Sequence, residues 1–159
     1  MNLKNILKLI LSILICQSAG IIGSLFTISA IPSWYNGLNK PSFTPPDCIF
    51  APVWGILYTL MGISLYLIIN KKFKSNDKTL GLIFFAVQLI LNASWSIIFF
   101  GAKSILGGFI VILLLWTFIV LTIIKFYKIS KPSAIMLYPY LLWVSFAVLL
   151  NYSIWKLNL

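Results

Sequence analysis

Apolar residues run along the chain in five long stretches that short polar segments separate. The stretches cover about residues 6–31, 51–69, 79–100, 105–126 and 135–155. Each is close to or longer than the roughly 20 residues that a helix needs to cross the hydrocarbon core of a bilayer. Because backbone groups in lipid must find partners within their own segment, each stretch is predicted to be a helix. The pattern predicts an all-α integral membrane bundle of five transmembrane helices, forming a single transmembrane domain over residues 1–159.

The longest polar segment lies between the first two stretches and is rich in proline and aromatic residues. It carries Pro41, Pro45, Pro46 and Pro52, and this spacing predicts no regular helix before the last of them. A stiff aromatic loop at the mouth of a membrane bundle is typical of a lid over a flat apolar ligand. The alternative is an interfacial anchor, since Trp and Tyr gather at headgroup depth in any membrane protein. The aromatic residues of this segment are Trp34, Tyr35, Phe43, Phe50 and Trp54.

The composition supports a membrane protein and excludes several kinds of chemistry. Of the 159 residues, 61% are hydrophobic and 9% are charged, whereas a soluble domain is about a quarter charged. The sequence has no His, so a His-ligated haem, a His general base and a His metal site are excluded. Cys16 and Cys48 are too few for a zinc or iron–sulfur site, so no metal site is predicted.

The basic residues predict the orientation in the membrane. Twelve lysines oppose two aspartates, for a net charge of +10, but the lysines lie scattered in short loops and form no basic stripe. This favours a topology signal over nucleic-acid binding. Nine lysines fall at one end of the predicted bundle and three at the other. The positive-inside rule then predicts a multi-pass protein of the plasma membrane with a cytoplasmic amino terminus and the aromatic loop outside.

Polar and small side chains recur at helical spacing inside three of the stretches. Asn and Gln at these depths must face the bundle interior, either as links between helices or as the few polar groups of an otherwise apolar pocket. No clear charge lies mid-membrane, which argues against a proton pump or a charge-coupled transporter. The faces comprise Ser12, Cys16, Gly20, Gly23 and Thr27, interpreted as a packing face; Gln88, Asn92, Trp95, Ser96 and Phe99; and Tyr140, Trp143, Ala147 and Asn151.

Four motifs, in order, resemble the TspO/MBR family of translocator proteins and tryptophan-rich sensory proteins. They are WYNGLNKPSFTPP at residues 34–46, PVWGILYTLMG at 52–62, QLILNASWSIIFF at 88–100 and PYLLWVSFAVLLN at 139–151. Together they extend the resemblance over nearly the whole chain. One departure is that residues 107–115, GGFIVILLL, lack the acidic residue that many relatives carry early in the fourth helix.

The resemblance implies a membrane receptor or sensor that binds porphyrins such as protoporphyrin IX, and related flat apolar molecules, inside a bundle that often forms a homodimer. Protoporphyrin IX would be a ligand and not a cofactor. Lys40 is a candidate partner for its propionates, and the alternative is an ordinary interfacial lysine. The residues that the resemblance assigns to the pocket are Tyr35, Pro45, Trp54, Tyr58, Asn92, Trp95, Phe99, Trp143 and Ala147, and Asn151 lies on the same helical face as the last two.

Two alternative functions follow from the same resemblance. Trp54 and Trp143 match tryptophans that bacterial relatives link to light-dependent breakdown of protoporphyrin IX, although the chain has no conventional acid–base pair for catalysis. In that case the reactivity would come from the pigment, as it does with bound cofactors. Passive transfer of a porphyrin or a sterol is the other alternative.

Overall fold

The computed structural model describes residues 2–72 and 75–159, and these residues form helices joined by short connections. Five helical segments are long and apolar enough to cross a membrane, and no β-strand occurs in the described ranges. The predicted all-α bundle of five membrane-spanning helices is therefore confirmed. The helices are α1 Leu3–Ser33, α2 Asp47–Ile69, α3 Asn76–Ser96, α4 Ile105–Tyr127, the short α5 Lys131–Ile135 and α6 Tyr138–Leu157.

The start of α2 differs from the prediction. The helix begins at Asp47, and Pro52 lies inside it, whereas the prolines predicted no regular helix before Pro52. Pro46 occupies the N-cap position, where a missing N–H costs no helical hydrogen bond. Pro52 comes early enough in the helix that its missing N–H removes a single bond near the amino-terminal end, and the remaining helix tolerates this loss.

The end of α3 also departs from regular helix. Residues Ile97–Gly101 continue the helix as a π-helical turn, closed by the Ala102 backbone N–H, which donates to the Ile97 carbonyl oxygen at 2.8 Å. This wider turn buries both Phe99 and Phe100, two consecutive residues that a regular helix would direct about 100° apart. Both rings therefore belong to the interior of the bundle.

Close helix contacts form where small residues replace bulky ones. α1 packs along α2, and α3 packs along α4. At Gly62 the backbone of α1 comes so near that an added Cβ would lie 2.5 Å from the Ile13 Cα atom. Gly108 similarly faces the Phe99 ring. Without a hydrophobic driving force between helices in lipid, such close packing is a main source of association.

Polar contacts tie the helices together at the end of the bundle that carries the α2–α3 and α4–α5 connections. Asp77 at the start of α3 accepts a 2.6 Å hydrogen bond from Lys125 near the end of α4. Within the same end, the buried Ser64 hydroxyl of α2 donates to the Ser133 carbonyl oxygen of α5 at 2.8 Å. Lys125 and Lys128, the two lysines that pair with Asp77, therefore lie at the same end of the bundle.

A candidate ligand cavity inside the bundle

A cavity of about 420 Å³ lies among α1, α2, α3, α4 and α6, beside the loop that joins α1 to α2. Its wall is mostly apolar, with a few polar groups, and its volume falls within the roughly 300–1,000 Å³ of small-molecule sites. The residues that sequence analysis assigned to a pocket and that line this cavity are Tyr35, Trp54, Tyr58, Asn92, Trp95, Phe99, Trp143, Ala147 and Asn151.

Aromatic rings form much of the wall. Trp54 stacks on Tyr58 within α2, with ring centroids 5.4 Å apart, and Trp95 stacks on Phe99 at the end of α3 at 5.3 Å. Trp143 of α6 meets the Phe50 ring edge-on at 5.9 Å. The indoles of Trp54 and Trp143 therefore reach one cavity from two different helices. Offset and edge-on aromatic contacts of this kind hold the rings in defined orientations.

The two asparagines of the cavity wall are hydrogen-bonded to neighbouring helices. The Asn92 side chain accepts from the Tyr58 hydroxyl of α2 and donates to the Tyr140 hydroxyl of α6 at 3.0 Å. Asn151 accepts from the Trp95 indole N–H at 3.2 Å and donates to the Ala147 carbonyl oxygen at 2.8 Å. These amides thus link helices and also form part of the cavity wall. Asn92 and Asn151 are therefore both interhelical links and polar groups of a mostly apolar cavity.

The loop beside the cavity is attached to the bundle at two points. Tyr35 is buried and packs edge-on against Phe99 and Phe100, with ring centroids 6.3 and 5.6 Å away. Asn39 and Asn158, at the end of α6, exchange backbone–side-chain hydrogen bonds of 3.0 and 2.9 Å. The aromatic loop is therefore packed onto the bundle and held against its last helix.

The phenol of Tyr35 stays protonated at neutral pH. Burial raises the pKa of Tyr35 to about 12, and the negative charge of Asp47 adds to this rise. Tyr35 therefore faces the cavity as a neutral ring with a hydroxyl donor. The Lys40 ammonium lies above the same ring, with Nζ 4.1 Å from its centroid.

Two of the predicted residues lie elsewhere. Pro45 is half-buried in the loop but does not line the cavity, because the chain turns into α2 two residues later. Lys40 also stays out of the cavity lining, since its Nζ atom lies over the Tyr35 ring and donates to Asn36 Oδ1 at 3.4 Å. The part that each predicted residue plays in binding a ligand stays a prediction.

Sequence reasoning missed one wall of the cavity. The small face of α1 was interpreted as a packing face, and Gly20 does pack closely against the Tyr58 ring. Gly20, Gly23 and Thr27 also line the cavity, together with Gln17. The Gln17 amide donates to the Gly55 carbonyl oxygen at 3.0 Å and ties α1 to α2. A glutamine in the middle of an apolar stretch was the available signal.

The first turn of α2 supplies two further lining residues, of which the sequence had pointed to Phe50 as part of the aromatic segment but not to Asp47. Asp47 and Phe50 both face the cavity. They do so because α2 begins at Asp47, before Pro52, whereas the prolines predicted irregular chain over this part.

Comparison with known proteins shows the family of the chain. Residues 12–156 match the model of the TspO/MBR family. The chain belongs to the TspO/MBR family. It is 47% identical to the tryptophan-rich protein TspO of Chlorobaculum tepidum over 98% of both chains. It is 46% identical to the tryptophan-rich protein TspO of Archaeoglobus fulgidus, over 97% of this chain and 99% of the relative. The human translocator protein is 39% identical, over 86% of this chain and 82% of the relative.

Metal-ligating side chains do not cluster in the described part of the chain. In residues 2–72 and 75–159, no three His, Cys, Asp or Glu side chains come together. Cys16 is buried in α1, and Cys48 is exposed at the start of α2. The chemistry that the cavity offers is therefore that of aromatic surfaces, neutral hydrogen-bonding groups and one carboxylate.

Proposed function

We propose that the protein is a membrane receptor or sensor that binds porphyrins such as protoporphyrin IX, and related flat apolar ligands, in the cavity beside the α1–α2 loop. The observation that supports this most is the convergence of Trp54 and Trp143 on one apolar cavity of about 420 Å³. A flat aromatic ligand gains stacking energy from indole rings and buries its apolar surface in such a wall.

The test is a titration of the purified protein with protoporphyrin IX, followed by the absorbance of the pigment. Stacking on one aromatic ring is worth about 0.5–1.5 kcal/mol beyond area burial, so Trp54→Ala should weaken binding by about two- to tenfold. Trp116→Ala is the matched control. Trp116 is partly exposed on α4, donates to the Ser145 hydroxyl, and does not line the cavity. Equal losses for the two variants would refute this location of the site.

We propose a second candidate function, light-dependent breakdown of bound protoporphyrin IX with molecular oxygen as the oxidant, because Trp54 and Trp143 both line the cavity. Phe keeps much of the stacking surface of Trp but removes the easily oxidised indole and its N–H donor. A protein with both Trp54→Phe and Trp143→Phe should therefore bind the pigment and lose most of the light-dependent product. If the double variant bleaches the pigment at the rate of the parent, the two indoles are only walls of the cavity.

We further propose a plasma-membrane protein with a cytoplasmic amino terminus, which pairs with a second copy as a homodimer. The orientation is supported by the lysines near Asp77, since Lys125 and Lys78 lie at the end of the bundle that the positive-inside rule places in the cytoplasm. The homodimer rests on the family alone.

A further inference from the structure

Helix α1 packs against a different neighbour in each half of its length. In the first half, an added Cβ at Gly62 of α2 would lie 2.5 Å from the Ile13 Cα atom, so α1 and α2 are in direct contact. In the second half, an added Cβ at Gly23 of α1 would lie 2.8 Å from the Ser96 Oγ atom of α3. At Gly55 of α2, about two turns before Gly62, an added Cβ would meet nothing within 4 Å. α1 therefore leaves α2 and approaches α3 on its way to the α1–α2 loop.

Gln17 marks the point at which α1 and α2 begin to separate. Its amide nitrogen donates to the Gly55 carbonyl oxygen at 3.0 Å and to the Thr59 hydroxyl at 3.1 Å. Toward the loop, the two helical faces that meet at these hydrogen bonds continue at three- and four-residue spacing. The residues that continue them are Ile21, Ser24 and Ile28 on α1, and Ala51 and Asp47 on α2.

These residues line the cavity, and most of them are also exposed on the outside of the bundle. All five belong to the cavity lining. Ile21 and Ile28 are nevertheless 64% and 71% exposed, and Ala51 and Asp47 are exposed as well. A side chain that lines a cavity and is also exposed lies at the edge of an opening. Ile21, Ser24, Ile28, Ala51 and Asp47 therefore border a lateral opening of the cavity between α1 and α2.

Most of the lateral opening lies at the depth of the bilayer interior. Ile21 lies about 18 Å along the axis of α1 from the last residue, Ser33, and the hydrocarbon core is about 30 Å thick. Charges lie at the loop end, where Asp47 belongs to the border and the Lys40 ammonium lies over the Tyr35 ring. The deeper border is apolar or neutral. An apolar ring can therefore pass along it while carboxylates on the ring stay at the depth of Lys40.

The α1–α2 loop covers the cavity on the side that faces water. Tyr35 is buried and packs against Phe99 and Phe100. Asn39 and Asn158 hold the loop against α6 with hydrogen bonds of 3.0 and 2.9 Å. A ligand that came over the loop would have to break these contacts, whereas a ligand that came through the lateral opening would leave them in place.

We propose that the cavity exchanges flat apolar ligands with the bilayer, and not directly with water, through the lateral opening between α1 and α2. This inference rests on the proposed function, because it concerns the source from which the same cavity takes its ligand. A porphyrin in a bilayer buries its apolar ring among the acyl chains and keeps its carboxylates near the headgroups. From there it passes edge first between α1 and α2 and reaches Trp54 without displacing the loop.

The test measures both exchange rates of protoporphyrin IX with the purified protein in lipid nanodiscs, followed by the fluorescence of the pigment. One variant carries both Ile21→Trp and Ile28→Trp, which narrow the lateral opening from the α1 side. A higher barrier between two states slows the forward and the reverse step by the same factor. The association and dissociation rate constants should therefore both fall by about three- to tenfold, while Kd stays unchanged.

Ile22→Trp combined with Leu25→Trp is the matched control. Ile22 and Leu25 lie on α1 and are 45% and 70% exposed, yet neither lines the cavity. This variant adds the same two indoles to the outside of α1 and should keep the rate constants of the parent. Ile21→Ala combined with Ile28→Ala tests the opposite direction. It widens the lateral opening and should raise both rate constants, again without a change in Kd.

Asn158→Ala distinguishes the bilayer from water as the source of the ligand. It removes the hydrogen bonds between the Asn158 side chain and the Asn39 backbone, and so loosens the loop that covers the cavity. If the ligand enters through the lateral opening, neither rate constant should change. Faster exchange in Asn158→Ala, together with parent rates in the variants of Ile21 and Ile28, would refute the lateral route and make water the source.

This inference and the proposed function fail in different ways. If protoporphyrin IX binds but the variant with Ile21→Trp and Ile28→Trp exchanges it at the parent's rates, the lateral route is refuted while the cavity remains a porphyrin site. If the control with Ile22→Trp and Leu25→Trp is slowed as much, added bulk anywhere on α1 explains the effect and the route is again refuted. If the parent protein does not bind protoporphyrin IX, the proposed function is overturned and this inference with it.

Discussion

Three buried side-chain amides in α3 and α6 differ in their hydrogen bonding. Asn92 and Asn151 reach partners on other helices, and each both donates and accepts a hydrogen bond. Gln88 lies one helical turn before Asn92 and is fully buried, yet neither its amide nitrogen nor its oxygen has a partner among the described residues. A buried polar group without a partner costs about 1–3 kcal/mol, so Gln88 weakens the fold where the asparagines strengthen it.

Replacing Gln88 by Met should therefore stabilise the protein. Met has a similar volume and an unbranched side chain, and it removes the unpaired amide. We expect the melting temperature of the purified protein to rise by about 2–4 °C for each kcal/mol gained. Asn92→Leu serves as the comparison and should lower it, because the Tyr58 and Tyr140 hydroxyls lose their partner. A lower melting temperature for Gln88→Met would show that this amide supports the fold.

At the scale of elements, the two glycines inside α2 occupy opposite environments. An added Cβ at Gly62 would lie 2.5 Å from the Ile13 Cα atom and 2.9 Å from its backbone nitrogen. Because those atoms belong to the backbone of α1, they cannot move aside unless the two helices separate. At Gly55 an added Cβ meets nothing within 4 Å. The same helix thus requires glycine at one position and merely contains it at the other.

Alanine at these two positions should have opposite effects on stability. Gly62→Ala forces α1 away from α2 and should cost about 1–3 kcal/mol, as overpacking does elsewhere. Gly55→Ala should stabilise α2 by up to about 1 kcal/mol, because alanine is the better helix former. Thermal melting of the two variants in one detergent measures both effects. If both variants lose a similar amount of stability, the close contact between α1 and α2 at Gly62 does not explain the cost.

For the molecule as a whole, the orientation in the membrane can be tested with cysteine labelling. Cys48 is exposed beside the aromatic loop, and Cys16 is buried, so the protein has one accessible native thiol. A membrane-impermeant maleimide added to intact cells should label Cys48. In a Cys48→Ser background, a cysteine introduced by Ser75→Cys at the start of α3 should react only after the cells are permeabilised. The reverse pattern would place the amino terminus outside.

Much of this architecture is a local property of the chain and could be predicted from the order of its residues. Whether a segment crosses a bilayer depends on its length and its apolar content, and both can be counted along the chain. The helical face that carries Asn92, Trp95 and Phe99 likewise follows from spacing within one helix. The family motifs then brought Trp54 and Trp143 into one predicted pocket, and both residues line the cavity.

Which side chains face the cavity depends on how several helices and the α1–α2 loop pack together. Pro45 and Lys40 lie outside it while Asp47 lines it, because α2 begins at Asp47 and Lys40 turns over the Tyr35 ring. The small face of α1 became part of the wall through the position of that helix against α2 and α3. Spacing along one helix predicts which residues share a face. The direction in which that face points depends on how the other helices pack against it. That packing is set by contacts between residues far apart in the chain.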